Sequence, residues 1–143
     1  AVGALGGYVA CSHERREWLF NTARSYIFST ALPVPVVEGA RAAIEEARRN
    51  PGHRAQLWKN MRRFGGAIGM EMASPIASTV LGDEDAAVEA SARLLALGYY
   101  VSAIRPPTIP EGSSRLRVAL SAKHTNEHVD GLLDAMRTIG LVP

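Results

Sequence analysis

One cysteine, Cys11, is the whole thiol content of the 143 residues, so no disulfide can form within the chain. That usage fits a reducing compartment, and a cytoplasmic location is expected. Charge of either sign is also in short supply as an excess: 16 Lys and Arg against 14 Asp and Glu leave a formal +2. So small a bias argues for neither nucleic acid nor an anionic membrane as partner. No apolar run approaches the ~20 residues of a membrane span. A basic leader with a long apolar core is absent too, so no secretory signal is expected. The chain opens on Ala rather than Met, which is compatible with processing or truncation. There is no C-x-x-C, no H-E-x-x-H, and no complete G-x-G-x-x-G or G-x-x-x-x-G-K-[ST]. Internal repeats and low-complexity tracts are missing. What remains is 47% apolar and 21% charged, a composition suited to a soluble domain with a real core.

The pattern along the chain predicts alternating elements. GGYVAC (6–11) reads as a short strand after a glycine turn, with Cys11 at its buried end. SHERREWLFNTAR reads as a helix capped by Ser12, with Trp18, Leu19 and Thr22 inward. Tyr26, Ile27 and Phe28 read as extended. Pro33 and Pro35 suit a helix start, and from Val36 the spacing of Val37, Ala40, Ile44 and Ala47 is helical. HRAQLWKNMRRF is a further helix, followed by a loose, glycine-rich GGAIGMEMASP. PIASTVLG then reads as a strand and EDAAVEASARLLALG as an amphipathic helix with an acidic first turn and Gly98 as C-cap. YYVSAI and RLRVALS read as strands joined by a proline-rich loop. TNEHVDGLLDAMRTIG closes the chain as a helix capped by Thr125 or Asn126. From residue 74 onward the order is strand, helix, strand, strand, helix, an α+β arrangement with helices on one side of a small sheet.

Few residues carry chemistry. In RLRVALS, alternation puts Arg115, Arg117 and Ala119 on one face and Leu116, Val118 and Leu120 on the other. The leucine face belongs in the core, so two guanidinium forks point together toward solvent or a cleft. Such a fork grips a carboxylate through two parallel hydrogen bonds. On spacing alone, an ordinary solvated face is favoured. The loop AIRPPTIPEGSS presents Arg105 and Thr108, for which a plain structural turn is the simpler reading. Ser29 and Thr30 precede the proline-started helix, where hydroxyls serve either a phosphate or a simple cap. His124 and His128 have a metal-like spacing without a third ligand, so capping is expected and no metal site. His13 and His53 read as helix-start surface residues.

Several segments together carry a resemblance. GALGGYVA, YIFSTALP, SPI followed by GD, and the unbroken VSAIRPPTIPEGSSRLRVALSAKHT resemble the α-oxoamine synthases. These are pyridoxal-phosphate enzymes of the α/β aspartate-aminotransferase fold, fold type I. The resemblance spans essentially the whole chain, while the chain spans well under half of such an enzyme. It implies that 1–35 are the end of the large cofactor domain, 36–50 a connecting helix, and 51–143 the α+β small domain. It places the cofactor lysine immediately before Ala1, so no catalytic residue is expected within the chain. Neither of its two lysines, Lys59 and Lys123, matches that position. Arg117 matches the arginine that holds the amino-acid carboxylate, and Thr108 a substrate-contacting threonine. Arg105 is a candidate for the acyl side. Ser29 and Thr30 match the hydroxyls that reach the cofactor phosphate of a neighbouring subunit, which implies a homodimer with a shared active site.

The AIRPPTIPEG form points, within that family, to decarboxylative condensation of L-alanine with a pimeloyl thioester, on CoA or a carrier protein. The product would be 8-amino-7-oxononanoate, in biotin biosynthesis. One departure is the compressed stretch FGGAIGMEMAS (64–74), which would weaken packing of the small domain or shift substrate preference. It leaves room for a sister activity such as that of glycine C-acetyltransferase. The remaining alternative is a non-catalytic small-domain module that pairs with a partner chain.

Overall fold

Among residues 2–142, which the computed structural model describes, every buried side chain lies beyond residue 59. The chain divides into two units at the junction of Asn50 and Pro51.

The first unit is helical. α1 (His13–Thr22) begins at Ser12, whose hydroxyl accepts the Arg15 N–H at 3.4 Å, as the capping pattern predicts. α2 (Arg24–Ile27) is a single turn. α3 (Val34–Arg49) starts directly after Pro33 and carries Pro35 in its first turn, where a missing N–H costs no hydrogen bond. None of these helices has a buried residue.

Three expectations fail in this unit. Residues 6–11 are not a strand, and Cys11 is exposed rather than at a buried strand end. Tyr26 and Ile27 belong to the turn of α2 instead of an extended run. The inward stripe of α1 meets no core: Trp18 is 65% exposed, and the Thr22 hydroxyl donates to the Trp18 carbonyl at 2.7 Å. A strand needs a neighbour for its N–H and C=O groups. No described strand lies in residues 2–50. At the glycine turn Gly6 sits at φ 108°, a conformation only glycine adopts freely, with the Leu32 side chain against the position a Cβ would take.

The second unit follows the predicted order closely. α4 (Pro51–Ala67) leads into β1 (Ile76–Gly82), α5 (Glu84–Ala96), β2 (Ser102–Ile104), β3 (Ser114–Ala119) and α6 (Asn126–Thr138). The strands form one antiparallel sheet in the order β1-β3-β2. Because β3 is central, its alternation governs both faces. Leu116, Val118 and Leu120 are buried with Ala77, Val101 and Leu94 of α5, whereas Arg117 and Ala119 are exposed. Asp83 caps α5 by accepting the Ala86 N–H at 2.9 Å, and Glu84 and Asp85 fill its first turn. Gly98 ends the helix at φ 92°, as expected. α6 presents Val129, Leu132, Leu133 and Met136 to the same core.

The 64–74 stretch is not loose. α4 continues through it to Ala67, burying Phe64 and Gly65, and Ile68 and Met72 pack against the core. Gly65 is needed there, since a Cβ would sit 2.3 Å from the Met70 carbonyl oxygen. That backbone is held in place by the Met70 N–H donating to the Gly65 carbonyl at 2.8 Å. A second tie joins α4 to α6: Arg63 grips both carboxylate oxygens of Asp130. The pairing holds the Asp130 carboxyl below its ordinary range and raises the Arg63 guanidinium.

Two pairs of neighbouring substitutions test this packing by urea unfolding. Gly65→Ala is expected to destabilise by about 1–3 kcal/mol through overpacking, while exposed Gly66→Ala, with nothing within 4 Å, is expected to stabilise by up to about 1 kcal/mol. Leu116→Ala should cost about 2–5 kcal/mol, and Arg117→Ala less than about 0.5 kcal/mol. A stability loss at Arg117 comparable to that at Leu116 would contradict the assignment of faces.

Candidate functional site

β3 projects Arg117 from the sheet face that no helix of the second unit covers. Register puts Ser78 of β1 and Ser102 of β2 directly opposite it, one on each side. Residues paired across a sheet share a face, so these three side chains form one row. The next row toward the 105–113 loop is Val80, Arg115 and Ile104, and the row on the other side holds Ile76 and Ala119. Arg115 is half-buried and donates through Nε to the Ser113 carbonyl at 2.9 Å, so part of its fork serves the loop. Arg117 is exposed and makes no hydrogen bond or ion pair among the described residues. The two arginines of RLR thus differ in role: one braces the strand start, the other is uncommitted.

Arg105 directly follows β2, and the Thr108 N–H donates to its carbonyl at 3.1 Å in a tight turn. The peptide between Pro106 and Pro107 is cis. Both side chains are exposed, on the loop that returns the chain into β3. Arg105, Thr108 and Arg117 therefore belong to one hairpin-like segment, β2-loop-β3.

Ser29 and Thr30 lie in the other unit. The Ser29 hydroxyl donates to the Ser25 carbonyl within α2, five residues before α3 begins. They do not cap α3, whose N-cap is Pro33. Both line a concavity of ≈ 760 Å³ with Gly6, Gly7, Tyr26 and Ala31. Thr30 is exposed and its hydroxyl has no partner among the described residues, so this stretch suits a phosphate through hydroxyl and main-chain donors. An aldehyde cofactor also needs an amine. Residues 2–50 contain no lysine; Lys59 is exposed on α4 and Lys123 in the turn after β3. The described residues fit the phosphate end of pyridoxal phosphate and not its aldehyde end.

Of the paired histidines, His128 takes part in a helix cap and His124 braces the turn before it. His128 and Thr125 form a capping box: the Thr125 hydroxyl accepts the His128 N–H at 3.3 Å, and His128 Nδ1 accepts the Thr125 N–H at 3.2 Å. Thr125, not Asn126, is the N-cap. His124 Nδ1 accepts the Ser121 N–H at 3.3 Å. No metal-ligating cluster occurs among the described residues. His13 and His53 are exposed near the starts of α1 and α4, as predicted. No helix among the described residues is long and apolar enough to cross a membrane.

Sequence reasoning missed Asn60. It is fully buried on α4, accepts from Gln56 at 2.9 Å, and donates to the Ser121 and His124 carbonyls at 2.9 and 2.8 Å. It anchors the turn that follows the arginine strand. Ser78 and Ser102 were also missed, because a single serine in a strand carries no signal until register is known.

Comparison with known proteins identifies the fold. The chain is 44% identical to the Arabidopsis thaliana protein named 8-amino-7-oxononanoate synthase over 136 residues, 95% of this chain and 29% of that protein. Serine palmitoyltransferase of Sphingomonas wittichii superposes over 99% of this chain and 39% of its own, with a TM-score of 0.82 and 35% identity. Serine palmitoyltransferase from S. paucimobilis, solved with PLP and myriocin bound, covers 99% of this chain and 38% of its own, with a TM-score of 0.85 and 31% identity. The chain thus spans well under half the length of the relatives it matches. These likenesses bear out the expected α/β, aminotransferase-like fold. The aminotransferase class I and II family matches residues 1–136, and the chain belongs to that family.

Proposed function

We propose that this chain is part of a pyridoxal-phosphate-dependent acyltransferase of the α-oxoamine synthase type. In this reading it condenses L-alanine with a pimeloyl thioester and releases carbon dioxide and the thiol, giving 8-amino-7-oxononanoate. The observation that carries the reading is Arg117: an uncommitted guanidinium on the central strand of an uncovered sheet face, in the segment most like that family. Residues 1–35 are read as the end of the cofactor domain, 36–50 as the connecting helix, and 51–143 as the small domain.

The cofactor, when bound, supplies an electron sink for the bond broken at the amino-acid α-carbon. This chain's part is binding and orientation. Arg117 would take the amino-acid carboxylate in two parallel hydrogen bonds and so fix the orientation of the α-carbon. Thr108 offers a hydroxyl from the adjoining loop. Arg105 serves the acyl side, where a pimeloyl group ends in a free carboxylate and a palmitoyl or acetyl group does not. Ser29 and Thr30 serve the cofactor phosphate of a second copy, Thr30 through its hydroxyl and Ser29 through its main-chain N–H, and a lysine outside this chain supplies the amine. The many apolar side chains left exposed in 2–50, such as Tyr8, Trp18 and Phe28, suit a segment that packs within a larger domain.

A second reading comes from the serine palmitoyltransferase likeness: L-serine with a long-chain acyl thioester. The 44% identity to the Arabidopsis thaliana protein named for the oxononanoate reaction supports alanine.

The complete, cofactor-loaded protein carrying this chain is the object to assay. L-alanine with pimeloyl-CoA should release carbon dioxide and free CoA. Arg117→Ala should lower kcat/KM for L-alanine at least about 100-fold, since two charge-assisted hydrogen bonds of ~1.5 kcal/mol or more each are lost. Turnover confined to L-serine with palmitoyl-CoA would select the second reading. No turnover with either pair, or an unimpaired Arg117→Ala enzyme, would contradict the proposal.

A further inference from the structure

The row that contains Arg117 has a composition that the strand context does not explain. Strands favour β-branched and aromatic side chains, and the residues diagonal to Arg117 on this face are indeed Ile76, Val80 and Ile104. The two residues directly opposite it are both serine. They come from different strands, in the unrelated segments IASTVLG and SAI. Each is partly exposed, and neither hydroxyl has a hydrogen-bond partner among the described residues. Three uncommitted polar groups therefore stand side by side across the whole width of a three-stranded sheet.

The chemistry of the fork says what this row can do. A guanidinium carries five N–H donors, and a carboxylate takes two of them along one edge. The other three need acceptors once the site closes around a ligand, and a freely rotating arginine would lose orientational freedom on binding. A serine hydroxyl is a short acceptor. Directly opposed residues in a sheet have Cβ atoms about 4.5–5.5 Å apart, so a guanidinium that leans toward either side meets an oxygen. Valine or isoleucine at either position would offer no acceptor.

We propose that Ser78 and Ser102 are positioning residues for Arg117. Their hydroxyl oxygens accept from the guanidinium N–H groups that the substrate carboxylate leaves unused, and so set the direction in which the fork faces that carboxylate. The proposal rests on the reading that Arg117 holds the amino-acid carboxylate, and its ligand class is an α-amino acid with a small side chain.

The test uses the complete, cofactor-loaded protein and the cofactor's absorbance to titrate L-alanine, with alaninamide as the probe that lacks a carboxylate. Ser78→Ala and Ser102→Ala should each raise the Kd for L-alanine about three- to tenfold, and the double variant more than either. Kd for alaninamide should be unchanged. Ser78→Thr and Ser102→Thr, which keep the hydroxyl on a residue strands tolerate well, should bind L-alanine as the parent does. Alanine variants that bind L-alanine like the parent, while Arg117→Ala does not, would overturn the proposal and leave the reading of Arg117 standing. An equal loss for alaninamide, or no rescue by threonine, would also overturn it, since general disturbance of the sheet would then account for the effect. Unimpaired L-alanine binding by Arg117→Ala would remove the reading itself and the proposal with it.

Discussion

The alternation of the six residues of β3 is the constraint on which the second unit depends. Successive side chains of a strand point to opposite faces, and β3 is the only strand here paired on both edges. Burying Leu116 and Val118 against α5 and α6 leaves no choice about Arg115 and Arg117: they must stand on the other face. A slip of one residue would bury two guanidinium groups and expose the core, which the cost of an unpaired buried charge forbids. Core packing and presentation of the fork are therefore one fact about one strand. The neighbouring elements serve that arrangement. β1 and β2 fix its register, and Asn60 pins the turn beyond its end with two hydrogen bonds from a fully buried amide.

Much of this was legible in the sequence because it rests on local rules. Strict alternation in RLRVALS predicts its two faces, the acidic first turn and Gly98 mark α5, and the stripe from Val129 to Met136 marks the buried side of α6. What was not legible depended on distant partners. GGYVAC has the composition of a strand, yet a strand exists only beside another, and residues 2–50 hold none. The stripe of Trp18, Leu19 and Thr22 on α1 meets no core in its own unit. Glycines in 64–74 suggested looseness, whereas Gly65 is there because helix and returning chain approach too closely for a Cβ. Capping by His128 was legible, and its Nδ1 accepts the Thr125 N–H as the helix-start position predicts.

The candidate site was legible in part. Arg117 could be singled out from the pattern as one of two outward arginines, and only the structure separates it from Arg115, which is tied to the Ser113 carbonyl. Arg105 and Thr108 were placed on a loop from the proline content, and the structure joins that loop directly to the arginine strand. Ser78 and Ser102 could not be found at all without register, because they are 24 residues apart and meet Arg117 only across the sheet. Their juxtaposition with Arg117 comes from strands whose individual sequences look purely structural.

The central claim is that the outward face of β3 receives a substrate carboxylate. The most direct measurement is a crystal structure of the complete, cofactor-loaded protein with L-alanine bound. The account predicts both carboxylate oxygens on the Arg117 guanidinium, with Ser78 and Ser102 flanking it on the same sheet face. A carboxylate held elsewhere, with Arg117 turned to solvent, would contradict it.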